Sequence, residues 1–187
     1  MLCWLVFAAA FLLRKRFPRT DAARREPASF IGIVLQAIAF AIIWSFRRPS
    51  ATSLFAVSPA IDGAIAAAAV LLAAASVWMA VSAVRVLGSQ WSVGARLVEG
   101  HELITSGPYA LVRHPIYTAM FGLLLATGLV ASLWIALPPA VVFFAAGTAQ
   151  RTRVEERLLR GLFGAKFDDY AARVPSFIPT LSGRRLS

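Results

Sequence analysis

The polar segment at positions 106–117 separates two apolar stretches and contains side chains able to bind an anion. Within it, Arg113 and His114 directly precede Pro115. Proline disfavours a helical conformation in the residue before it and suits the first turn of a helix, so a new helix is predicted to begin at Pro115 or Ile116. The first free N–H groups of that helix, together with Arg113 and His114, would then converge on one spot that suits an anionic group.

A second group of charged residues, Arg151, Glu155 and Glu156, follows the next apolar stretch. Arg151 and Glu155 are one helical turn apart, and taken alone they suggest a solvated pair worth roughly a few tenths of a kcal/mol. The sequence leaves open which glutamate faces inward.

The composition indicates a protein that resides in a membrane. Of 187 residues, 59% are hydrophobic and 15% are charged, whereas soluble domains average roughly half apolar and a quarter charged. The formal net charge of +10 comes from Lys and Arg blocks that flank apolar runs, a distribution that reflects membrane topology and argues against a nucleic-acid partner. Cys3 is the one cysteine and there are two histidines, so neither an internal disulfide nor a metal site is expected.

The apolar runs predict an all-α, polytopic integral membrane protein with about five transmembrane helices. These predicted spans are residues 1–13, 28–46, 61–87, 116–137 and 138–150, and the last two are joined by a tight turn at Pro138-Pro139. The basic residues at 14–16 follow the first apolar run instead of preceding it, so no signal peptide is predicted. Apolar positions at helical spacing predict a cytoplasmic amphipathic helix from Arg151 to Arg173.

Basic residues are distributed unevenly between the two sides of these predicted spans. Seventeen of the nineteen Lys and Arg residues fall on one side, and Arg47 and Arg48 fall on the other. Positively charged loops stay in the cytoplasm. The segment at 106–117 and the C-terminal region are therefore predicted to be cytoplasmic, and the N-terminus is predicted to lie outside.

The motif Arg113-His114-Pro115-Ile116-Tyr117 is preceded by Leu103-Ile104-Thr105-Ser106-Gly107-Pro108-Tyr109 and followed some forty residues later by Glu155-Glu156. In order and spacing these pieces resemble the isoprenylcysteine carboxyl methyltransferase family and its bacterial phospholipid methyltransferase-like relatives. The resemblance covers roughly residues 87–179. It implies a single membrane methyltransferase domain over 1–187, in which 1–86 supply three transmembrane helices and 87–187 form the cofactor-binding, catalytic part.

The resemblance also implies S-adenosyl-L-methionine as the cofactor and assigns roles to particular residues. The implied cofactor-binding residues are Leu103, Gly107, Tyr109, Arg113, His114, Tyr117 and Glu156, and the implied catalytic residues are Arg151 and Glu155. The segment Leu87-Gly88-Ser89-Gln90-Trp91-Ser92 matches a family pattern too, with Trp91 as either a membrane-interface anchor or part of the pocket lining. His101 is a further candidate, for orienting the turn or contacting the cofactor.

Two acceptor chemistries fit this set of residues. A carboxylate acceptor is already ionised at neutral pH and needs alignment and desolvation rather than a base. An amine acceptor has to lose a proton, which would make Glu155 or Glu156 a candidate general base. The first interpretation is methylation of an isoprenylated cysteine or similar lipophilic substrate that enters from the bilayer, the second is methylation of a phospholipid amine, and a third is a non-catalytic membrane protein that retains the fold.

Overall fold

The computed structural model describes residues 2–12, 28–49, 58–88 and 102–178. Within these ranges the chain forms α-helices and short 3-10 turns without a β-strand, so the predicted all-α class is confirmed. The α-helices are α1 (Leu2–Leu12), α2 (Ala28–Ser45), α3 (Pro59–Leu87), α4 (Pro115–Ala131), α5 (Leu137–Phe163) and α6 (Ala165–Arg173), and the 3-10 turns are Gly107–Ala110 and Trp134–Ala136.

Two helix pairs form the body of the structure, with α2 packed along α5 and α3 packed along α4. Small residues permit both close approaches. A Cβ atom added to Gly147 of α5 would lie 2.7 Å from the carbonyl oxygen of Gly32 in α2, and one added to Gly122 of α4 would overlap the Ser76 hydroxyl of α3. Such small residues let helix backbones pack closely in apolar surroundings.

An apolar core joins the α2–α5 pair to α4 of the other pair. Its fully buried members come from α2, α4 and α5, and they are Ala39, Ile43, Leu124, Ala140 and Phe144. The Phe144 ring stacks on Phe121 of α4 and meets Phe40 of α2 edge-on, an arrangement that adds to the burial energy of aromatic side chains. This core fixes α5 relative to α2 and α4. All three helices carry residues of the site described below.

The junction between the fourth and fifth helices corrects the sequence prediction. α4 ends at Ala131, and α5 begins at Leu137 with Pro138 and Pro139 inside its first turn. A proline in the first turn costs no hydrogen bond, because the N–H it lacks would be unbonded there in any case. The predicted tight turn at the two prolines is therefore wrong, and residues 132–136 make the connection.

The predicted amphipathic helix from Arg151 to Arg173 also needs correction. α5 continues without a break from its apolar part through Arg151 to Phe163, and α6 is a separate helix that begins at Ala165. Gly164 between them has a φ of 51°, a left-handed conformation that glycine adopts without steric cost. Arg151 and the two glutamates therefore lie on the rigid extension of a core helix.

One helix in the described part of the chain is long and apolar enough to cross a bilayer, namely α3 with 29 residues. In its most apolar stretch 17% of the residues are buried inside the structure, so most of its surface faces outward. The apolar helices Ser29–Ser45 and Pro115–Ala131 are shorter. The count of five spans and the sidedness of the chain stay predictions.

Candidate functional site

The segment at 106–117, here called the hinge, contains a 3-10 turn and leads into α4. Gly107 opens the first 3-10 turn with a φ of 60°. His114 adopts a non-helical conformation, and α4 begins at Pro115, which confirms the helix start predicted from the His-Pro pair. Tyr117 follows in the first turn of α4, and its ring stacks on the His114 ring with 5.8 Å between ring centroids.

Residues 174–178, here called the strap, hold the hinge backbone in place. The Arg113 N–H donates to the Pro175 carbonyl at 2.8 Å, and the His114 N–H donates to the Ser176 carbonyl at 3.0 Å. These two backbone groups precede α4 and have no partner within a helix, so the strap supplies the acceptors that they need. The strap thereby holds the hinge backbone in place immediately before α4.

Glu156 is held by both basic residues of the hinge. Its Oε1 atom accepts hydrogen bonds from Arg113 Nε at 3.0 Å and Nη2 at 2.8 Å, and it lies 3.0 Å from His114 Nε2. The remaining terminal nitrogen of Arg113 donates to the carbonyls of Ala171 and Val174. Arg113 thus joins α5, α6 and the strap at one point.

Glu155 meets the other edge of the same histidine. Its Oε2 atom lies 3.5 Å from His114 Nδ1, and its Oε1 atom accepts a hydrogen bond from the Tyr117 hydroxyl. Glu155 and Glu156 point in different directions from their helix, yet the two nitrogens on opposite edges of one imidazole reach both. The question left open by the sequence therefore has a clear answer, because both glutamates face the hinge.

The electrostatics of this cluster favour a protonated imidazole between two carboxylates. Burial lowers the pKa of His114, but its hydrogen bonds to Glu155 and Glu156 outweigh burial, and the net pKa is raised. Burial likewise opposes ionisation of Glu156, yet hydrogen bonds from His114 and Arg113 lower its pKa to about 2. The pKa of Glu155 is also lowered, against the effect of burial, chiefly by its hydrogen bond with His114.

Arg151 lies in the interior and adjoins this cluster. It is 8% exposed, and its guanidinium carbon is 4.9 Å from the centre of the Tyr117 ring. Its Nη2 atom is 3.9 Å from Glu155 Oε1, and its Nη1 atom donates to Gln36 Oε1 at 3.2 Å. The interpretation of Arg151 and Glu155 as a solvated surface pair is therefore wrong.

The remaining predicted cofactor residues lie beside the charged cluster. Tyr109 is buried, and its carbonyl accepts a hydrogen bond from the Tyr170 hydroxyl at 2.7 Å. Burial raises the pKa of Tyr109, and the charge of Glu155 raises it further, so its hydroxyl stays neutral. Gly107 approaches α3, and Leu103 is half-buried just before the hinge. Neither of these two residues takes part in the hydrogen bonds around the glutamates.

Several further sequence predictions concern positions outside the described residues. These are Ser89, Gln90, Trp91, Ser92 and His101. Gly88, the last described residue of that segment, ends α3 with a φ of 59°. Glycine adopts a positive φ without steric cost.

Two residues of the site escaped the sequence analysis, Gln36 in α2 and Thr148 in α5. Gln36 is 3% exposed, and its amide nitrogen donates to the Thr148 hydroxyl at 2.9 Å while its oxygen accepts from Arg151. The available signal was the one amide side chain inside the apolar run of α2. An amide in such a run has to find a hydrogen-bonding partner on another helix.

The chemistry of this donor set fits S-adenosyl-L-methionine. Two ionised carboxylates can pair with an ammonium or accept from ribose hydroxyls, and Arg113 and His114 can pair with a carboxylate. The face of Tyr117 suits a positively charged sulfonium, as its contact with the Arg151 guanidinium already shows for another cation. All these groups converge at the N-terminal end of α4.

Comparisons with known proteins identify the family to which the chain is related. Residues 64–166 match the model of the family described as phospholipid methyltransferase. The chain is 40% identical over 82 residues to the nickel-cobalt-cadmium resistance protein NccN of Alcaligenes xylosoxydans xylosoxydans, a match covering 43% of this chain and 38% of the relative. It is 34% identical over 88 residues to protein-S-isoprenylcysteine O-methyltransferase B of Arabidopsis thaliana, covering 45% of this chain and 43% of the relative. The chain thus spans less than half the length of these relatives.

A solved structure has the same fold. The eukaryotic intramembrane Ras methyltransferase ICMT (isoprenylcysteine carboxyl methyltransferase) matches with a TM-score of 0.57 and 21% sequence identity, over 97% of this chain and 63% of that one. The resemblance inferred from the hinge motif and the paired glutamates is confirmed by this fold and by the curated relatives. Since the family model covers more than half of the sequence, the chain belongs to the phospholipid methyltransferase family.

Proposed function

We propose that this protein is an S-adenosyl-L-methionine-dependent membrane methyltransferase whose acceptor is the terminal carboxylate of an isoprenylated cysteine or a similar lipophilic molecule. The observation that carries the proposal is the convergence of Arg113, His114 and Tyr117 with Glu155 and Glu156, next to the buried Arg151. Arg113, His114 and Tyr117 come from the middle of the family-matched region, and Arg151, Glu155 and Glu156 come from near its end. The fold therefore has to be intact to assemble them.

The cofactor-binding part of the proposed site consists of the hinge and Glu156. Arg113 and His114 would hold the carboxylate of the cofactor, Glu156 its ammonium or ribose, and Tyr117 would present its ring to the sulfonium. When bound, the cofactor supplies an electrophilic methyl group. Leu103, Gly107 and Tyr109 are proposed to complete the walls of the pocket, because they lie on the chain immediately before the charged cluster.

The acceptor part consists of Arg151 and Glu155. Arg151 is buried, and a guanidinium in such surroundings binds a carboxylate firmly and removes it from water. Alignment and desolvation are the contributions that a carboxylate acceptor requires. Glu155 lies 3.9 Å from Arg151 and would keep the guanidinium oriented.

The name of the matching family favours a second acceptor, a phospholipid amine. With such an acceptor Glu155 would have to remove a proton. A general base works best when its pKa lies near the working pH, whereas hydrogen bonding with His114 lowers the pKa of Glu155 in spite of its burial. A carboxylate with a lowered pKa is a weak base, so Glu155 suits an acceptor that is already ionised, such as a carboxylate, better than an amine that has to lose a proton.

A methyl-transfer assay with two acceptors tests the proposal. Purified protein is incubated with S-adenosyl-L-methionine labelled in its methyl group and with either a farnesylated cysteine or phosphatidylethanolamine. We expect a base-labile ester on the cysteine. A base-stable product on the phospholipid would instead establish N-methylation, and absence of transfer to either acceptor would favour the non-catalytic interpretation.

The variant Arg151→Ala separates binding from chemistry in the same assay. It is expected to lose most of its methyl transfer while its affinity for S-adenosylhomocysteine stays close to that of the parent, because Arg151 is assigned to the acceptor.

Glu155→Gln should lower transfer to a carboxylate by a factor that does not change with pH. If Glu155 acts instead as a base towards an amine, the variant would lose the acidic limb of the pH–rate profile.

A further inference from the structure

We propose that Gln36 is a positioning residue that holds the Arg151 guanidinium in place for the acceptor, so that α2 completes the site. This inference rests on the proposed function, because it concerns the residue assigned there to the acceptor. Gln36 lies outside the family-matched residues 64–166. The family match therefore implies no role for Gln36, and the role proposed here is inferred from its contacts in the structure.

The contacts of Gln36 fix the rotation of its amide. Its nitrogen donates to the Thr148 hydroxyl at 2.9 Å, which turns the amide oxygen towards Arg151 Nη1 at 3.2 Å. Gln36, Thr148 and Arg151 are 3%, 7% and 8% exposed. In such buried surroundings a hydrogen bond competes little with water, and a donor without its partner is costly.

The position of Arg151 is constrained on three sides. Gln36 contacts one terminal nitrogen, Glu155 lies near the other at 3.9 Å, and the Tyr117 ring lies against the guanidinium at 4.9 Å. Glu155 is itself engaged by Tyr117 and His114. Gln36 is thus a constraint on Arg151 from α2, a helix that carries neither Tyr117 nor Glu155.

The crossing of α2 and α5 makes this contact possible. A Cβ atom on Gly32 would overlap Cγ of Arg151, and one on Gly147 would lie 3.0 Å from the backbone nitrogen of Gln36. The two glycines let the helix backbones approach closely where the Arg151 stem passes between them. The sequence of α2 therefore provides both the space and the hydrogen bond that Arg151 uses.

Three variants test this role in the full chain. Gln36→Leu keeps a similar volume but removes the acceptor of Arg151, and it is expected to lower kcat for methyl transfer to farnesylated cysteine by about 10- to 100-fold, the loss typical when a reacting group is misplaced. Gln36→Glu retains an oxygen that can face Arg151, and it is expected to keep most of the turnover. The affinity for S-adenosylhomocysteine should change little in either variant.

Ile43→Ala is the matched control, since Ile43 is a fully buried residue of the same helix and belongs to the apolar core. It is expected to lower the thermal unfolding midpoint while the kcat of the folded protein stays near the parental value. A purely structural role for Gln36 would make Gln36→Leu behave in the same way, and this outcome would overturn the inference.

A double-mutant cycle checks that the effect passes through Arg151. In the Arg151→Ala background, Gln36→Leu should cause no further loss of turnover, and additive losses would contradict the inference. If the parent protein transfers no methyl group to either acceptor, the proposed function and this role fall together. If the parent is active and Gln36→Leu is equally active, only the positioning role is rejected.

Discussion

At the scale of single residues, His114 links the parts of the site more directly than any other described side chain. Its two ring nitrogens contact Glu155 and Glu156, and its backbone N–H contacts the strap. A protonated imidazole satisfies both carboxylates at once. Loss of this ring should therefore disturb the whole cofactor-binding cluster rather than one hydrogen bond.

The first prediction follows from these contacts. His114→Ala should weaken S-adenosylhomocysteine binding, measured by calorimetry, by roughly 1 to 3 kcal/mol, the range for a lost hydrogen bond to a charged or buried group. Arg160→Ala is the control, because Arg160 is exposed and forms its ion pair with Asp168 rather than with a hinge residue. Equal affinities of the two variants would remove the hinge from the pocket.

The second prediction concerns pH. The pKa of His114 is raised above its ordinary value of 6.5 in the folded protein, so protonated His114 stabilises the fold fully below pH 6.5, and this contribution is lost as the pH rises through the higher folded-state value. The thermal unfolding midpoint should accordingly fall above pH 6.5. His114→Gln should flatten that part of the profile, and an unchanged slope would refute the assignment.

The carboxylate of Glu156 has the opposite dependence. Its pKa is lowered from 4.5 to about 2, so its contribution is complete above pH 4.5 and is lost as the pH falls towards about 2. Together with His114, it places the highest stability of the cluster between pH 4.5 and 6.5. In this window both ionised groups have the charge that their partners require.

At the scale of elements, the close packing of α2 against α5 holds Arg151 in position. The third prediction is that Gly147→Ala lowers the free energy of unfolding by roughly 1 to 3 kcal/mol, as overpacking of a tight contact does, because the new Cβ would lie 2.7 Å from the Gly32 carbonyl oxygen. Gly161→Ala on the same helix has no neighbour within 4 Å and should cause no loss. Similar free energies of unfolding for both variants, measured by denaturation, would show that the helices are not closely packed at this point.

The strap is the second element on which the site depends. The fourth prediction is that a chain ending at Arg173 binds S-adenosylhomocysteine more weakly than the parent, because it lacks the strap carbonyls that accept from the Arg113 and His114 backbone. A chain ending at Ile178 keeps these acceptors and serves as the matched control. Equal affinity of the two truncated chains would show that the hinge holds its shape without the strap.

At the scale of the whole molecule, the uneven distribution of basic residues predicts how the protein lies in the membrane. The fifth prediction uses single cysteines in a Cys3→Ala background. They are placed at two exposed positions, Ala60 at the start of α3 and Lys166 in α6. We expect Ala60→Cys to react with an impermeant reagent from outside and Lys166→Cys only from the cytoplasmic face. Labelling of both from one face would contradict the predicted five-span topology.

Much of this protein follows from local sequence rules. Pro115 determines the start of α4, because proline restricts the residue before it and fits the first helical turn. The apolar runs determine the all-helical class, since backbone polar groups in apolar surroundings have to be bonded within the chain segment. The motif around Arg113 and His114 and the later glutamate pair identified the family before any geometry was known.

Other features were decided by the tertiary structure alone. Adjacent residues on a helix point in different directions, so spacing could not show that Glu155 and Glu156 meet one imidazole, whose nitrogens reach both. The burial of Arg151 and its contact with Gln36 depend on how closely α2 and α5 approach, over 115 residues of sequence separation. That approach is determined by small residues on two distant helices, a property of the packed pair that neither helix reveals by itself.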